Sequence, residues 1–192
     1  MDYGCGSGEN SIILTALGAA VTGIDLSPHL IDSAKRRMEI NRMRWRVRVA
    51  SAYTTGEPGN SFDIVFGAAI LHHLNLEEAS REVFRILKPG GTAIFSEPIR
   101  DLVMLRWVRR IVPLSVRNAS PGEYPLTRAK IEAFCSGFEM VNSRRFSSPW
   151  GRLLSRFGHN EHLWVDRADA WFNENVTGKL AAFEVFKVRK PA

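Results

Sequence analysis

The sequence predicts an α/β protein built on a doubly wound, mostly parallel sheet with helices on both faces, and three observations predict it. Strand-like apolar runs alternate with helical runs along most of the chain. Two of the strand runs, FDIVFGAAI and GTAIFSEP, are nearly continuously apolar, as strands covered on both faces are. The chain opens on MDYGCGSGEN, a glycine-rich turn of the kind that joins a buried strand to a helix close to a ligand.

Each element follows in order. The first strand is short in the extreme: Asp2 leads directly into Gly4, Gly6 and Gly8, with only Met1 ahead of it. A central strand so truncated leaves neighbours without ladder partners. The expectation is therefore an incomplete form, a fragment or a mistaken start, of a longer protein. ENSIILTAL reads as a helix closed by Gly18, followed by the strand AAVTGID. Ser27 is the expected cap of the next helix, with Pro28 at its first position and Ile31, Ala34 and Met38 at helical spacing. RWRVRVA alternates Trp45, Val47 and Val49 with Arg44, Arg46 and Arg48, charge that would guard an edge strand. After FDIVFGAAI, Asn75 and Glu78 form the capping box of a helix that stops at Pro89–Gly90, before the strand GTAIFSEP.

Residues 99–125 break the rhythm and read as a lid or insertion. Within LVMLRWVRRIVP, Arg106, Arg109 and Arg110 share one helix face, and Leu105, Trp107, Val108 and Ile111 cover the rest. A lid over its own pocket is preferred to a helix lying on a membrane. LTRAKIEAFCSG then reads as a helix with Thr127 as its N-cap and Gly137 just past its end, and FEMVNSRRF and LAAFEVFKVR as two final strands, seven in all. The organisation is one domain over 1–192, with a cofactor-binding half at 1–98 and C-terminal helices and strands at 126–192.

Composition narrows the setting. With 45% apolar and 24% charged residues among 192, the chain has enough apolar material for a core. It shows neither an apolar run of membrane-span length nor a basic-then-apolar leader, so a cytoplasmic location is expected, with Cys5 and Cys135 as free thiols. The net charge of +6 suits an anionic partner but names none.

The glycine turn discriminates between ligands. A dinucleotide fingerprint places its third glycine three residues after the second. Here Gly8 comes two after Gly6, and Glu9, which fills the expected slot, would repel a pyrophosphate. The pattern D-x-G-x-G-x-G instead resembles the first motif of class I S-adenosylmethionine-dependent methyltransferases. Asp25 ends the strand VTGID, where a carboxylate can accept hydrogen bonds from both ribose hydroxyls. VASAYTTGEPGNSFDIVFGAAILHHL and LKPGGTAIFSEP resemble later stretches of the same family, so the resemblance covers most of residues 1 to 98. Within it, the chain is most similar to the small-molecule group related to the ubiquinone and menaquinone C-methyltransferases.

That resemblance implies a Rossmann-like seven-stranded fold and S-adenosyl-L-methionine as cofactor. It places Asp2, Gly4, Gly6 and Gly8 around the methionine end and Asp25 on the ribose. Leu26 flanks the adenine, Ser51 and Ala52 meet its edge, and Gly67 and Ala68 lie near the sulfonium. Ser51 departs from the family, which usually has an Asp there, and a hydroxyl accepts less strongly than a carboxylate.

Methyl transfer from a sulfonium needs alignment and exclusion of water, and a base only where the acceptor must lose a proton. His73 and Glu97, after the fourth and at the end of the fifth strand, are the candidate catalytic residues. His72 reads as structural, and Tyr124 is a weaker candidate. No metal is expected, because His72, His73, His159 and His162 lack ligand spacing. The expected acceptor is a small or lipid-like molecule, anionic in keeping with the charge, with peripheral membrane contact left open. Nucleic acid is disfavoured, because FGAA stands where amino methyltransferases carry [DN]-P-P-[YF]. A non-catalytic cofactor-binding or regulatory protein remains the alternative reading.

Overall fold

In the computed structural model the described residues are 1–99, 126–146 and 183–192. They form a seven-stranded sheet in the order β3-β2-β1-β4-β5-β7-β6. The strands are β1 (Asp2–Tyr3), β2 (Thr22–Asp25), β3 (Arg46–Val49), β4 (Phe62–Ala68), β5 (Leu87–Pro98), β6 (Glu139–Phe146) and β7 (Phe183–Arg189). The helices are α1 (Glu9–Ala16), α2 (Pro28–Asn41), α3 (Leu76–Ile86) and α4 (Arg128–Phe134), with a 3₁₀ turn at Leu71–His73. All pairings are parallel except those of β7, which runs antiparallel to both β5 and β6. The strand order reverses at β1: α1 and α2 carry the chain one way and α3 the other. Right-handed crossovers then put them on opposite faces. The expected fold class is what the chain adopts.

Local chemistry sets the element ends. Ser27 caps α2, its Oγ accepting from the Leu30 amide at 3.4 Å with Pro28 at the first helical position, and Ile31 and Ala34 face the core. Gly18 closes α1 in the left-handed region, at φ 87°. At α3 the expected capping box is only half formed. Asn75 Oδ1 accepts from the amides of Glu77 and Glu78, but the Asn75 amide donates to Tyr53 Oη at 2.9 Å instead of to Glu78. Thr127 precedes α4 without a side-chain cap bond. The expected turn at Pro89–Gly90 is absorbed into β5, which starts at Leu87 because Leu87 already pairs with Phe62.

The core lies between the sheet and α3 and α4. Phe95 on β5, Phe134 on α4 and Phe186 on β7 meet with ring centroids 5.2–6.1 Å apart, and Tyr3 stands edge-on to Phe95 at 6.2 Å. Edge-to-face pairs of this kind add about 0.5–1.5 kcal/mol each beyond burial. Lys190 fastens the end of α3: its Nζ donates to Phe84 O, Leu87 O and Asn60 Oδ1 at 2.7–2.9 Å and lies 4.6 Å from the Phe84 ring centre. A cation on the last carbonyls of a helix complements its dipole.

β1 has the two neighbours expected of it. Asp2 and Tyr3 pair with Gly23 and Ile24 of β2, and Asp2 with Phe66 of β4. The Met1 amino group donates to Ile64 O at 2.6 Å. The stretch from Arg106 to Arg110, Tyr124, His159 and His162 lie outside the described residues.

Candidate functional site

The glycine turn leaves β1 at the point where the strand order reverses. Gly4, Gly6 and Gly8 have φ of 75°, 52° and 82°, a region that other residues enter only at a cost. Their surroundings differ. A Cβ on Gly4 would come 2.7 Å from the Ile70 side chain, and one on Gly8 3.0 Å from the Trp45 ring. Among the described residues nothing stands within 4 Å of the same position on Gly6. The turn is packed at both ends and open in the middle.

Asp25 ties this turn to β2. Its Oδ2 accepts from the Gly6 amide and its Oδ1 from the Ser27 amide, both at 2.9 Å. Asp25 therefore braces the turn and the start of α2 together, alongside the Ser27 cap. Each oxygen keeps a lone pair for a further donor. Leu26 beside it is 73% exposed, a flat apolar surface at the carboxyl edge of the sheet. Arg37 on α2 clamps the turn from outside, donating to Ser7 O at 2.9 Å and meeting Ser7 Oγ and Glu9 Oε1 at 3.3 Å. No spacing in the sequence marked that role.

Asp2 is buried beneath the turn. Oδ2 accepts from Ser11 Oγ at 2.5 Å, while Oδ1 has no partner among the described residues. Burial raises its pKa, opposed by the Ser11 bond. The folded state thus holds the proton more tightly than the unfolded chain. This contribution favours folding at low pH and is lost as pH rises from the usual 3.8 through the raised value. Asp2→Asn should accordingly melt higher than the parent at pH 7, and the difference should shrink at pH 4. A variant that melts lower at both pH values would contradict this account of Asp2. Cys5, in the same turn, has its thiol pKa pushed up to about 12 by burial and by Asp2 and Asp25, which disfavours the thiolate.

Ser51 and Ala52 belong to the loop after β3. Ser51 Oγ accepts from the Tyr53 amide at 3.2 Å, so part of its acceptor capacity serves its own turn. Ala52 O accepts from the hydroxyl of buried Tyr3, which joins this loop to β1. Thr55 gives its amide and hydroxyl to Glu82 Oε1 at 2.8 and 2.6 Å. Arg85 grips Glu82 at 2.7–2.8 Å and also donates to Glu57 O at 2.8 Å. Arg46 and Arg48 do more than guard an edge: both pair with the buried Glu57, at 3.2 and 2.9 Å. Sequence reasoning missed this second layer, in which Tyr3, Glu57, Glu82 and Arg85 set the shape of the loop.

Gly67 and Ala68 end β4. A Cβ on Gly67 would sit 2.6 Å from the Phe95 ring, so packing alone demands glycine there. Ala69 follows at φ 54° and starts the tight turn. Glu97, fully buried at the end of β5, organises that turn. Its Oε1 accepts from the amides of Ile70 and Leu71, both at 2.8 Å, and its Oε2 lies 2.9 Å from His72 Nδ1. His73 is exposed, and its ring lies against that of His72 with centroids 4.0 Å apart. The structure thus joins Glu97 to His72 rather than to His73.

These groups suit the expected cofactor. Asp2 Oδ1 lacks a donor, Asp25 can accept two more, and the open side of Gly6 admits a ligand to bare backbone. Comparisons with known proteins agree. Residues 1–95 match the methyltransferase domain family. A demethylmenaquinone methyltransferase of Tropheryma whipplei is 29% identical over 144 residues, 69% of this chain and 58% of the relative. The chain spans about half the length of the curated relatives it matches. Among solved structures, the [4+2]-cyclase SpnF aligns with a TM-score of 0.70 at 20% identity, over 100% of this chain and 74% of that one. Geranyl diphosphate C-methyltransferase from Streptomyces coelicolor gives 0.69 at 15% identity, over 98% and 69%. These two alignments show the fold. Over residues 1–95, just under half of its length, the chain is similar to the methyltransferase domain family.

Proposed function

We propose that the protein transfers a methyl group from S-adenosyl-L-methionine to a small or lipid-like acceptor by in-line displacement. The observation that carries this reading is the turn itself: three left-handed glycines, open at Gly6 and braced by Asp25, at the reversal of the strand order. In this reading Asp2, Gly4, Gly6 and Gly8 hold the methionine end and Asp25 the ribose hydroxyls. Leu26, Ser51 and Ala52 surround the adenine, and Gly67 and Ala68 approach the sulfonium. The sulfonium supplies an activated methyl group, and the protein's part is alignment and exclusion of water.

The named relative supports a small, lipid-like acceptor, since its name makes it a methyltransferase of demethylmenaquinone. The reading includes His73 at the acceptor mouth with Glu97 buried behind it against His72, no nucleic-acid partner and a cytoplasmic setting. No described helix is long and apolar enough to cross a membrane. Titration calorimetry tests the reading: S-adenosylmethionine should release binding heat and NAD none. Heat with NAD alone, or with neither, would overturn it. Binding without methyl release to any acceptor in cell extract would favour the regulatory alternative.

A further inference from the structure

The tight turn after β4 faces two ways. The Ile70 side chain leans on Gly4, while His72, two residues on, lines a cavity of about 250 Å³ between the turn, α3 and α4. Leu71, Leu74, Leu76, Leu126 and Ala133 make most of its wall, and Asn75, Glu77 and Lys130 supply the remaining polar groups. The volume sits just below the usual range for small-molecule sites, which suits a single ring.

We propose that His72, oriented by Glu97, is the general base for an acceptor hydroxyl in this cavity, and that the acceptor is a small phenol or enol. The inference rests on the methyl-transfer reading above. Glu97 is fully buried, and both its oxygens are engaged, so it positions and does not itself reach an acceptor. A carboxylate only accepts, so it fixes the proton of His72 on Nδ1 and leaves the Nε2 lone pair available. The His72 side chain is 13% exposed, enough for one ring nitrogen to reach the cavity.

The step balances. Nε2 takes the hydroxyl proton, the oxygen pair forms the new O–C bond, and the C–S electrons return to sulfur as a neutral thioether. The imidazolium then gives its proton to solvent. A neutral amine would attack through its own lone pair and need no such base. A hydroxyl does, and general-base assistance is worth about 10²–10⁴-fold. The charged and titratable groups around His72 are Glu97, His73, Glu77 and Lys130. Behind Glu97 stands Glu184 of β7, directly opposite it in register and held by Arg145 at 2.9 Å.

The test uses phenol and 4-nitrophenol at pH 8, where only the second is ionised in water. His72→Ala should lower kcat on phenol by about 10²–10⁴-fold, lose far less on 4-nitrophenol, and leave S-adenosylmethionine affinity by calorimetry unchanged. Glu97→Gln can keep both amide bonds through its oxygen, but it donates to Nδ1 and so moves the imidazole proton to Nε2. Nitrogen NMR of His72 should show Nδ1–H in the parent and Nε2–H in this variant, with phenol turnover lost. Equal losses on both phenols, an Nε2–H parent, or a parent that binds S-adenosylmethionine yet methylates no phenol would overturn the proposal. A parent that binds no S-adenosylmethionine would instead overturn the wider reading, while the NMR result would still report the tautomer.

Discussion

Asp25→Ala should weaken S-adenosylmethionine binding by roughly 10²–10⁴-fold. In the proposed role, two ribose hydroxyls would each lose a charged acceptor worth about 1.5–3 kcal/mol. The loss has a second source in the folded protein, because the same carboxylate holds the Gly6 amide and the Ser27 amide. Both amides lie at half-exposed residues, so water can replace the lost oxygen. The stability cost should stay near that of a missing cap, about 1 kcal/mol or roughly 2–4 °C in Tm. Calorimetry beside thermal melts separates the two effects. An unchanged dissociation constant would remove Asp25 from the ribose, and a collapse of the melt would make it chiefly structural.

Glu82→Ala should cause the larger loss of stability. Glu82 is 7% exposed and takes four bonds, two from Thr55 and two from Arg85. Arg85 keeps 45% of its side chain in water and can resolvate, so its share is small. The Thr55 amide and hydroxyl are buried and cannot, which puts the cost at about 3 kcal/mol or 6–12 °C in Tm. Burial pushes the Glu82 pKa up, but the bonds from Arg85 and Thr55 together outweigh it and hold the pKa below the usual 4.5. The contribution is thus present above pH 4.5 and lost as pH falls through the lowered value. The gap between the melts of parent and Glu82→Ala should therefore narrow in acid. A gap independent of pH would mean that Glu82 acts through packing and not through charge.

The residues legible in the sequence were those whose job is local. Gly4, Gly6 and Gly8 announce left-handed backbone, Ser27–Pro28 a helix start, and the runs FDIVFGAAI and GTAIFSEP buried strands. The strand and helix alternation was enough to indicate the doubly wound fold class. What stayed hidden depends on groups far apart in the chain. The Glu82 to Thr55 bond spans 27 residues and the Tyr3 to Ala52 bond 49, and no spacing rule encodes either. Arg46 and Arg48 showed their charge but not Glu57, their partner. His72 and His73 are adjacent and chemically equal in the sequence. Only the position of Glu97, 25 residues on, distinguishes them.

The placement of β7 has a consequence for how the chain is made. Among the described residues β6 pairs only with β7, yet β7 follows it in sequence by 36 intervening residues (147–182) and inserts between it and β5. On a ribosome, β6 waits for this partner until residues 183–189 emerge, with Met140 and Val141 in the waiting strand and Arg144 and Arg145 beside them. Pairings of such long sequence separation raise contact order, and high contact order slows folding. The nascent chain is therefore most open to aggregation late, when four parallel pairings are already possible and this antiparallel insertion is not.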